Sequence, residues 1–344
     1  MALAAIFSIA TAVHVKNLRG ARAQTTTKLT NIQRLLTDAE SSLLYKNDAR
    51  AAELLGQAKE QLPTANAIDS TNQELYKKVL SQFDQTVYKI EKTTQVQTEN
   101  LGSLAESDNL IKLPQILAVQ SGNVTVSYNK QTRKIEDGSL QVPVTFESGA
   151  FVKGSAEAVY DGSKLYSWNF LNGKISEGFA NSVPQKNDFG GLAAYSDKSR
   201  IYVANKQSGA ITSFAISESG VAQPIVSVRD SVINKSIDIA IDSNIYVLTS
   251  DGVNRFLNGR LTDFFLPKLS QGFSGVKKIY TQKDFAYIYI LDAGNNKILI
   301  VYKKGGLVKT LVSDKFTKMK DFQIEEKNRT IFILNDGSLL KATY

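Results

Sequence analysis

The chain has 344 residues, 42% hydrophobic and 22% charged, with a formal net charge of +8. That length suits two domains, and that balance excludes global disorder. There is no cysteine and a single histidine, His14, which removes disulfides, thiol catalysis, Cys-ligated zinc and iron–sulfur clusters and nearly excludes His-based triads and metal clusters.

Residues 2–15 (ALAAIFSIATAVHV) carry no charged side chain. The run is shorter than the roughly 20 residues of a spanning helix and matches a signal-peptide core in length. Lys16, Arg19 and Arg22 follow it, and Ala21-Arg22-Ala23 resembles a cleavage site. Three readings stand side by side: a span whose first half lies upstream, an atypical signal peptide or anchor, or a buried or frayed apolar helix. Residues 1–23 are therefore taken as an apolar membrane anchor or truncated transmembrane helix. The basic flank favours the cytoplasmic side by the positive-inside rule, against export of the remainder.

A helical spacer is expected over residues 24–100. Leu29, Ile32, Leu36, Ala39 and Leu43 recur at three- and four-residue steps, the stripe of a buried helix face. Asn47 or Asp48 can cap a second helix carrying Ala51, Leu55, Ala58 and Leu62, which Pro63 stops. A third helix follows Ser70 or Thr71, with Tyr76, Leu80, Phe83, Val87 and Ile90 on one side. The stretch 39–62 resembles one tetratricopeptide-like helix pair. A lone pair is no solenoid, so a three-helix stalk is expected, with self-association through the helices as the functional alternative.

From about Leu113 the texture changes to short runs of β-branched and aromatic residues broken by turns such as Asp161-Gly162, Asp251-Gly252 and Asp336-Gly337. A unit recurs in 238–252 (DIAIDSNIYVLTSDG), 278–294 (KIYTQKDFAYIYILDAG) and 321–337 (DFQIEEKNRTIFILNDG). Residues 158–170 and 192–205 match it well, and 116–129 match weakly. The copies lie about 35–46 residues apart, the period of a four-stranded blade. The repeat resembles six-bladed β-propellers of the NHL and YVTN type over about two-thirds of the chain. The fold class expected is thus mainly β: a six-bladed propeller over residues 101–344 behind an anchor helix and a helical hairpin. The last blade has only three strands before the chain ends, and a strand near 109–113 is expected to close it, since an open edge invites aggregation.

On such a propeller, loops at one end of the central channel would carry Trp168, Asn169, Phe170, Phe189, Asn205, Arg229, Phe273, Asp292 and Asn335. These are the ligand- or partner-binding candidates, with Trp168 prominent because tryptophan is enriched at hot spots. The bland alternative packs Trp168 between blades. Tyr166, Tyr202, Tyr246, Tyr289 and Phe332 hold one repeated position and read as packing. Turn chemistry explains the Asp, Asn and Gly residues without calcium, so no metal and no cofactor is assigned. Lys303, Lys304, Lys309, Lys315, Lys318 and Lys320 form a basic cluster in the sequence. It suits an acidic polymer or lipid surface, or else a solvated blade edge. Basic residues interleaved with stacking aromatics are missing, so nucleic acid is not expected.

The order of anchor, helical spacer and propeller resembles the C-terminal extracytoplasmic part of membrane-bound bacterial proteins whose cytoplasmic portion is a PP2C-type (PPM-type) phosphatase. That resemblance implies a bacterial, membrane-anchored, non-catalytic sensor or scaffold, its propeller extracytoplasmic and any catalytic domain upstream. The partner implied is a protein or polymer at the loop face. The alternative is a metal-dependent propeller hydrolase of the lactonase type.

Overall fold

The computed structural model describes residues 2–103, 109–112, 116–121, 124–129, 134–141, 147–153, 156–169, 172–195, 198–217, 219–266, 269 and 272–344. Side chains are described over the same residues except 2–19, 109–141, 153 and 156. The chain divides into two compact units, Met1–Thr93 with Pro267–Gly272, and Thr94–Leu266 with Phe273–Tyr344.

Among the described residues, the first unit holds three α-helices: α1 (Ala2–Leu44), α2 (Asp48–Gln61) and α3 (Gln73–Ile90). Helix α1 runs without a break across the boundary expected at residue 23. No proline interrupts that stretch, and Thr25, Thr26, Thr27 and Thr30 each return a hydroxyl hydrogen bond to the carbonyl four residues back. Among the described residues no helix is long and apolar enough to cross a membrane. Asn47 caps α2 by accepting from Arg50 N at 3.1 Å, and α2 ends at Gln61, just before Pro63. Leu29, Ile32, Leu36, Ala39, Ala51, Ala58 and Val79 are fully buried. Each leucine or isoleucine so buried contributes about 1.5–3 kcal/mol. The small alanines at the contact let the helices approach closely, as the spacing predicts.

Among the described residues, 25 strands follow from the boundary residue Thr93. In chain order they are β1 (Thr93–Gln95), β2 (Thr98–Ser103), β3 (Asn109–Lys112), β4 (Ile116–Ser121), β5 (Val124–Asn129), β6 (Lys134–Gln141), β7 (Ser148–Lys153), β8 (Ala156–Tyr160) and β9 (Leu165–Asn169). There follow β10 (Phe189–Tyr195), β11 (Arg200–Asn205), β12 (Ala210–Ser217), β13 (Gly220–Val221), β14 (Ile225–Arg229), β15 (Asp238–Ile241), β16 (Ile245–Thr249), β17 (Gly252–Leu257) and β18 (Arg260–Thr262). The last are β19 (Val276–Tyr280), β20 (Tyr287–Asp292), β21 (Lys297–Tyr302), β22 (Leu307–Val312), β23 (Met319–Glu325), β24 (Thr330–Asn335) and β25 (Ser338–Thr343).

These strands form antiparallel sheets, each a short meander. Five have the four or five strands of a full blade: β3–β6, β10–β14, β15–β18, β19–β22 with β1, and β23–β25 with β2. A further sheet, β7–β9, has three. The innermost strands β3, β7, β10, β15, β19 and β23 are neighbours in that order, and β23 returns to β3. The sheets thus stand around one axis.

Ring closure corrects the sequence reading. The strand completing the C-terminal sheet is β2, with Thr98 opposite Ala342 and Ser103 opposite Ser338. The segment expected there pairs elsewhere: β3 lies against β4, Leu110 opposite Val119. The difference follows from polarity. TENLGS in β2 is largely exposed and suits an outer edge, whereas NLIK carries two consecutive apolar residues, a pattern that suits an inner strand. The propeller unit accordingly begins several residues before the boundary expected at 101.

The aromatics at the repeated second-strand position pack between sheets, and three of them also anchor turns. Tyr166 donates to Asp161 Oδ2 at 2.8 Å, Tyr246 to Asp242 Oδ2 at 3.2 Å and Tyr289 to Glu326 Oε1 at 2.9 Å. A buried phenol needs such a partner.

Candidate functional site

The sequence-predicted binding residues divide by the work they do. Asp292 and Asn335 end the second strands of adjacent sheets, and both are buried. Asp292 accepts from Ser274 N at 3.0 Å and Asn295 Nδ2 at 2.8 Å. Asn335 Oδ1 accepts from Thr317 N at 3.0 Å and Lys318 N at 3.2 Å. Each ties down the loop that leads into its sheet's inner strand. Burial holds the Asp292 carboxyl above the usual carboxylate range. Asn205 accepts from Ser208 N and Asn169 from Asn172 N, closing local turns. Asn205 and Asn169 close turns within three residues, and Asp292 and Asn335 hold loops from across their own sheets, so the four serve separate local ends.

Trp168 is fully buried in β9, so it is packing rather than an exposed anchor. Arg229 ends β14 in an exposed position, and Phe273 is half-buried in the loop before β19. Phe170 lies outside the described residues. Phe189 does reach the axis: it stacks on Tyr160, ring centroids 4.4 Å apart, and lines the central cavity.

The lysine cluster is dispersed by topology. Lys303 and Lys304 sit on the β21–β22 turn, while Lys315 and Lys318 sit in the connection from β22 to β23. Strand β22, about 20 Å of extended chain, separates them, with Lys309 partway along it. Lys303 is consumed by contacts to Asp242 Oδ2 (3.1 Å) and the carbonyls of Gln282 (2.8 Å) and Lys283 (3.1 Å). Lys318 pairs with Asp336 at 3.0 Å. Lys320 alone lines the cavity.

The cavity itself occupies about 380 Å³ on the axis, between inner strands β7, β10, β15, β19 and β23. Its polar wall is built from one repeated position. Asp238, Lys278 and Asp321 lie opposite Leu248, Leu291 and Leu334 on their neighbouring strands, the same register in three successive sheets. Each of the first two reaches the next sheet. Asp238 Oδ2 accepts from Ile279 N at 3.0 Å, and Lys278 Nζ contacts Asp321 Oδ1 at 2.5 Å. The Lys278 ammonium also stands 5.7 Å from the Phe322 ring centroid.

Two features place this wall. Gly191 in β10 has φ +121°, and a Cβ there would lie 2.6 Å from Asp238 Cα. Only glycine allows β10 and β15 to approach so closely. The inner strands also bulge at the end where they enter the ring. Register slips between Phe189 and Leu192, between Val276 and Lys278, and between Met319 and Asp321. The extra residues in the last two are Lys277 and Lys320, and both line the cavity. Bulges re-aim side chains in this way beside functional sites.

Burial raises the Asp238 carboxyl to about 7, and the Asp321 charge adds to the rise. The Ile279 N–H and the Lys278 ammonium oppose it. Burial likewise raises the Tyr280 phenol, which accepts from Gln282 Nε2 at 2.6 Å. Among the described residues no three carboxylate or imidazole side chains gather as a metal-ligand set.

Sequence reasoning missed Asp238, Lys278 and Asp321, although a signal was present. Each is the first residue of a clear repeat copy and is charged where the following positions are mostly apolar.

No family model and no curated protein matches the chain. Among solved structures it is similar to a calcium-binding protein, regucalcin, from Agrobacterium tumefaciens, at TM-score 0.51 and 8% identity over 73% of this chain and 94% of that one. It is similar to a streptogramin B lyase at TM-score 0.50 and 9% identity, over 72% and 97%. A catalytically inactive virginiamycin B lyase from Staphylococcus aureus, solved with quinupristin, aligns at TM-score 0.49 and 12% identity, over 72% and 99%. At such identities the likeness concerns fold alone. The chain is a mainly β protein of propeller fold carrying a few helices.

Proposed function

We propose that this chain is a binding propeller whose ligand is a small polar molecule held in the axial cavity. The observation that carries the reading is the Asp238–Lys278–Asp321 wall, one position of the repeat turned to charge in three successive sheets around a cavity of about 380 Å³. A cavity of that size with a few convergent polar groups is the usual form of a small-molecule site. In this reading the ring has six blades, the β7–β9 sheet being extended by the bridges Leu165–Phe179 and Trp168–Ile175. Attachment to a membrane through residues 2–15, and regulation beside a PP2C-type phosphatase, draw their support from the uncharged N-terminal run and the order of segments.

Thermal-shift screening of the full chain against small polar compounds tests the reading. Ala194, half-buried on the cavity wall, is replaced by tryptophan to fill the space. Compounds that stabilise the natural chain and leave a folded Ala194→Trp variant unmoved support it. Equal responses in both overturn it.

A second reading is favoured by Asp238. A carboxyl raised to about 7 beside a lysine in a cavity has the properties of a general acid–base. Turnover of a screened compound that falls at least about a hundredfold in Asp238→Asn would favour catalysis over binding alone.

A further inference from the structure

We propose that the axial cavity takes a small zwitterion, its ammonium received by Asp238 and its carboxylate by Lys277. The inference rests on the reading of that cavity as the ligand site and adds the charges that the ligand carries.

Several charges of the lining are answered within the protein. Lys278 contacts Asp321 at 2.5 Å, and Glu147 contacts Lys186 at 2.5 Å. Two lining groups of opposite sign have no ion pair among the described residues. Asp238 has no lysine or arginine within ion-pair distance, and its carboxylate accepts from the backbone N–H groups of Ile239 and Ile279. The Lys277 ammonium has neither an ion pair nor a hydrogen bond among the described residues.

The two groups come from adjacent inner strands, β15 and β19. Asp238 Oδ2 stands 3.0 Å from Ile279 N, and Lys277 lies two residues before Ile279, at most about 7 Å along the strand. The bulge between Val276 and Lys278 brings Lys277 to the lining. Carboxylate and ammonium thus stand within the span of one small molecule, yet they are not joined to each other. The cavity, about 380 Å³, is at the small end of ligand sites.

A ligand bearing both charges meets both groups. One bearing only a carboxylate would be repelled by Asp238, and one bearing only an ammonium by Lys277. A cavity less polar than water strengthens either repulsion.

Binding is also coupled to pH. The groups facing Asp238 are Lys277, Lys278 and Tyr280 from β19, Lys320 and Asp321 from β23, and the uncharged Gly191 and Leu248 from β10 and β16. The Asp238 carboxyl titrates at about 7, and only its ionised form attracts an ammonium. In mild acid the ligand therefore displaces one proton from the carboxyl to solvent, and binding strengthens as pH rises through that value.

Isothermal titration of the full chain tests this with glycine, β-alanine and 4-aminobutanoate, against butanoate and butylammonium as single-charge probes. None of them changes charge between about pH 6 and about pH 8. At least one zwitterion is expected to bind about tenfold or more tighter than either single-charge probe, and about tenfold tighter at the higher pH than at the lower. Asp238→Asn keeps an acceptor for Ile279 N, and in it the zwitterion should bind no better than butanoate and without the rise. In Lys277→Met it should bind no better than butylammonium. Equal binding by a single-charge probe, equal affinity at both pH values, no binding by any zwitterion, or a preference that survives either substitution overturns the proposal. Uptake of uncharged compounds alone, blocked in a folded Ala194→Trp variant, also overturns it while leaving the cavity as the ligand site. Zwitterion binding unchanged in that variant overturns the cavity reading itself.

Discussion

The cavity wall and the connecting turns use the same acidic and amide residues for different ends. In the turns, Asp161 accepts from Ser163 N and Lys164 N, and Asp242 from Ser243 N and Asn244 N, all within three residues. Those hydrogen bonds hold both carboxyls below the usual range, outweighing their burial. In the wall, Asp238 has one donor close in the chain, Ile239 N, and takes its second, Ile279 N, from the next sheet, and burial raises its carboxyl instead. Residue type therefore does not mark the site. What separates the two regions is how many donors the local backbone supplies before tertiary packing begins.

Breaking the wall at its closest approach has the largest expected effect. Gly191→Ala places a Cβ 2.6 Å from Asp238 Cα at a strained φ, and urea unfolding should show a loss of about 4 kcal/mol. Removing the cation comes next. Lys278→Met leaves the buried Asp321 carboxylate without its ammonium, and about 3 kcal/mol should be lost at neutral pH and partly regained in acid. A retained midpoint would show that the pair is replaceable by packing.

The turn side of the comparison is sharpened by Asp292→Ala. It strips Ser274 N and Asn295 of their acceptor, with an expected cost of about 2 kcal/mol and unchanged ligand binding in the cavity. A binding defect would join the turns to the site.

Asp238→Asn gives a smaller, pH-dependent change. The folded carboxyl is raised above its unfolded value, so the folded state keeps a proton that the unfolded chain releases. Stability should fall as pH rises from about 4 towards 7 and level off above, by about 1 kcal/mol after allowance for the part-exposed position. The asparagine variant should lack that slope. Smallest of all, Lys304→Ala with Lys315→Ala, two exposed lysines at opposite ends of β22, should change stability by less than about 0.5 kcal/mol.

Much of the scaffold was legible in periodicity. The stripe through Leu29, Ile32, Leu36 and Ala39 is buried, and the repeat beginning at Asp238, Lys278 and Asp321 falls on the inner strands of three sheets. The site was not legible to the same degree. Loop residues such as Asn205 and Asp292 drew attention because they flank turns, and they are spent on those turns. Trp168 looked like an anchor for a partner, but its cross-strand place opposite Glu157 buries it. Glu157 is itself fully buried, its carboxyl raised well above the usual range by burial, with no hydrogen-bond partner among the described residues. Nothing in the alternation of AEAVY marks that position.

By itself the sequence determined local order: helical stripes, capped ends, strand repeats and the turn residues between them. Each depends on neighbours a few positions apart, and spacing records such neighbours directly. Only the tertiary structure decided which strand closes the ring, that α1 continues through the expected anchor boundary, and that clustered lysines part to opposite ends of β22. It alone placed Asp238, Lys278 and Asp321 on one wall. These outcomes depend on pairing partners tens or hundreds of residues apart. Such pairings are set by competition among sheet edges and by the close approach that Gly191 permits.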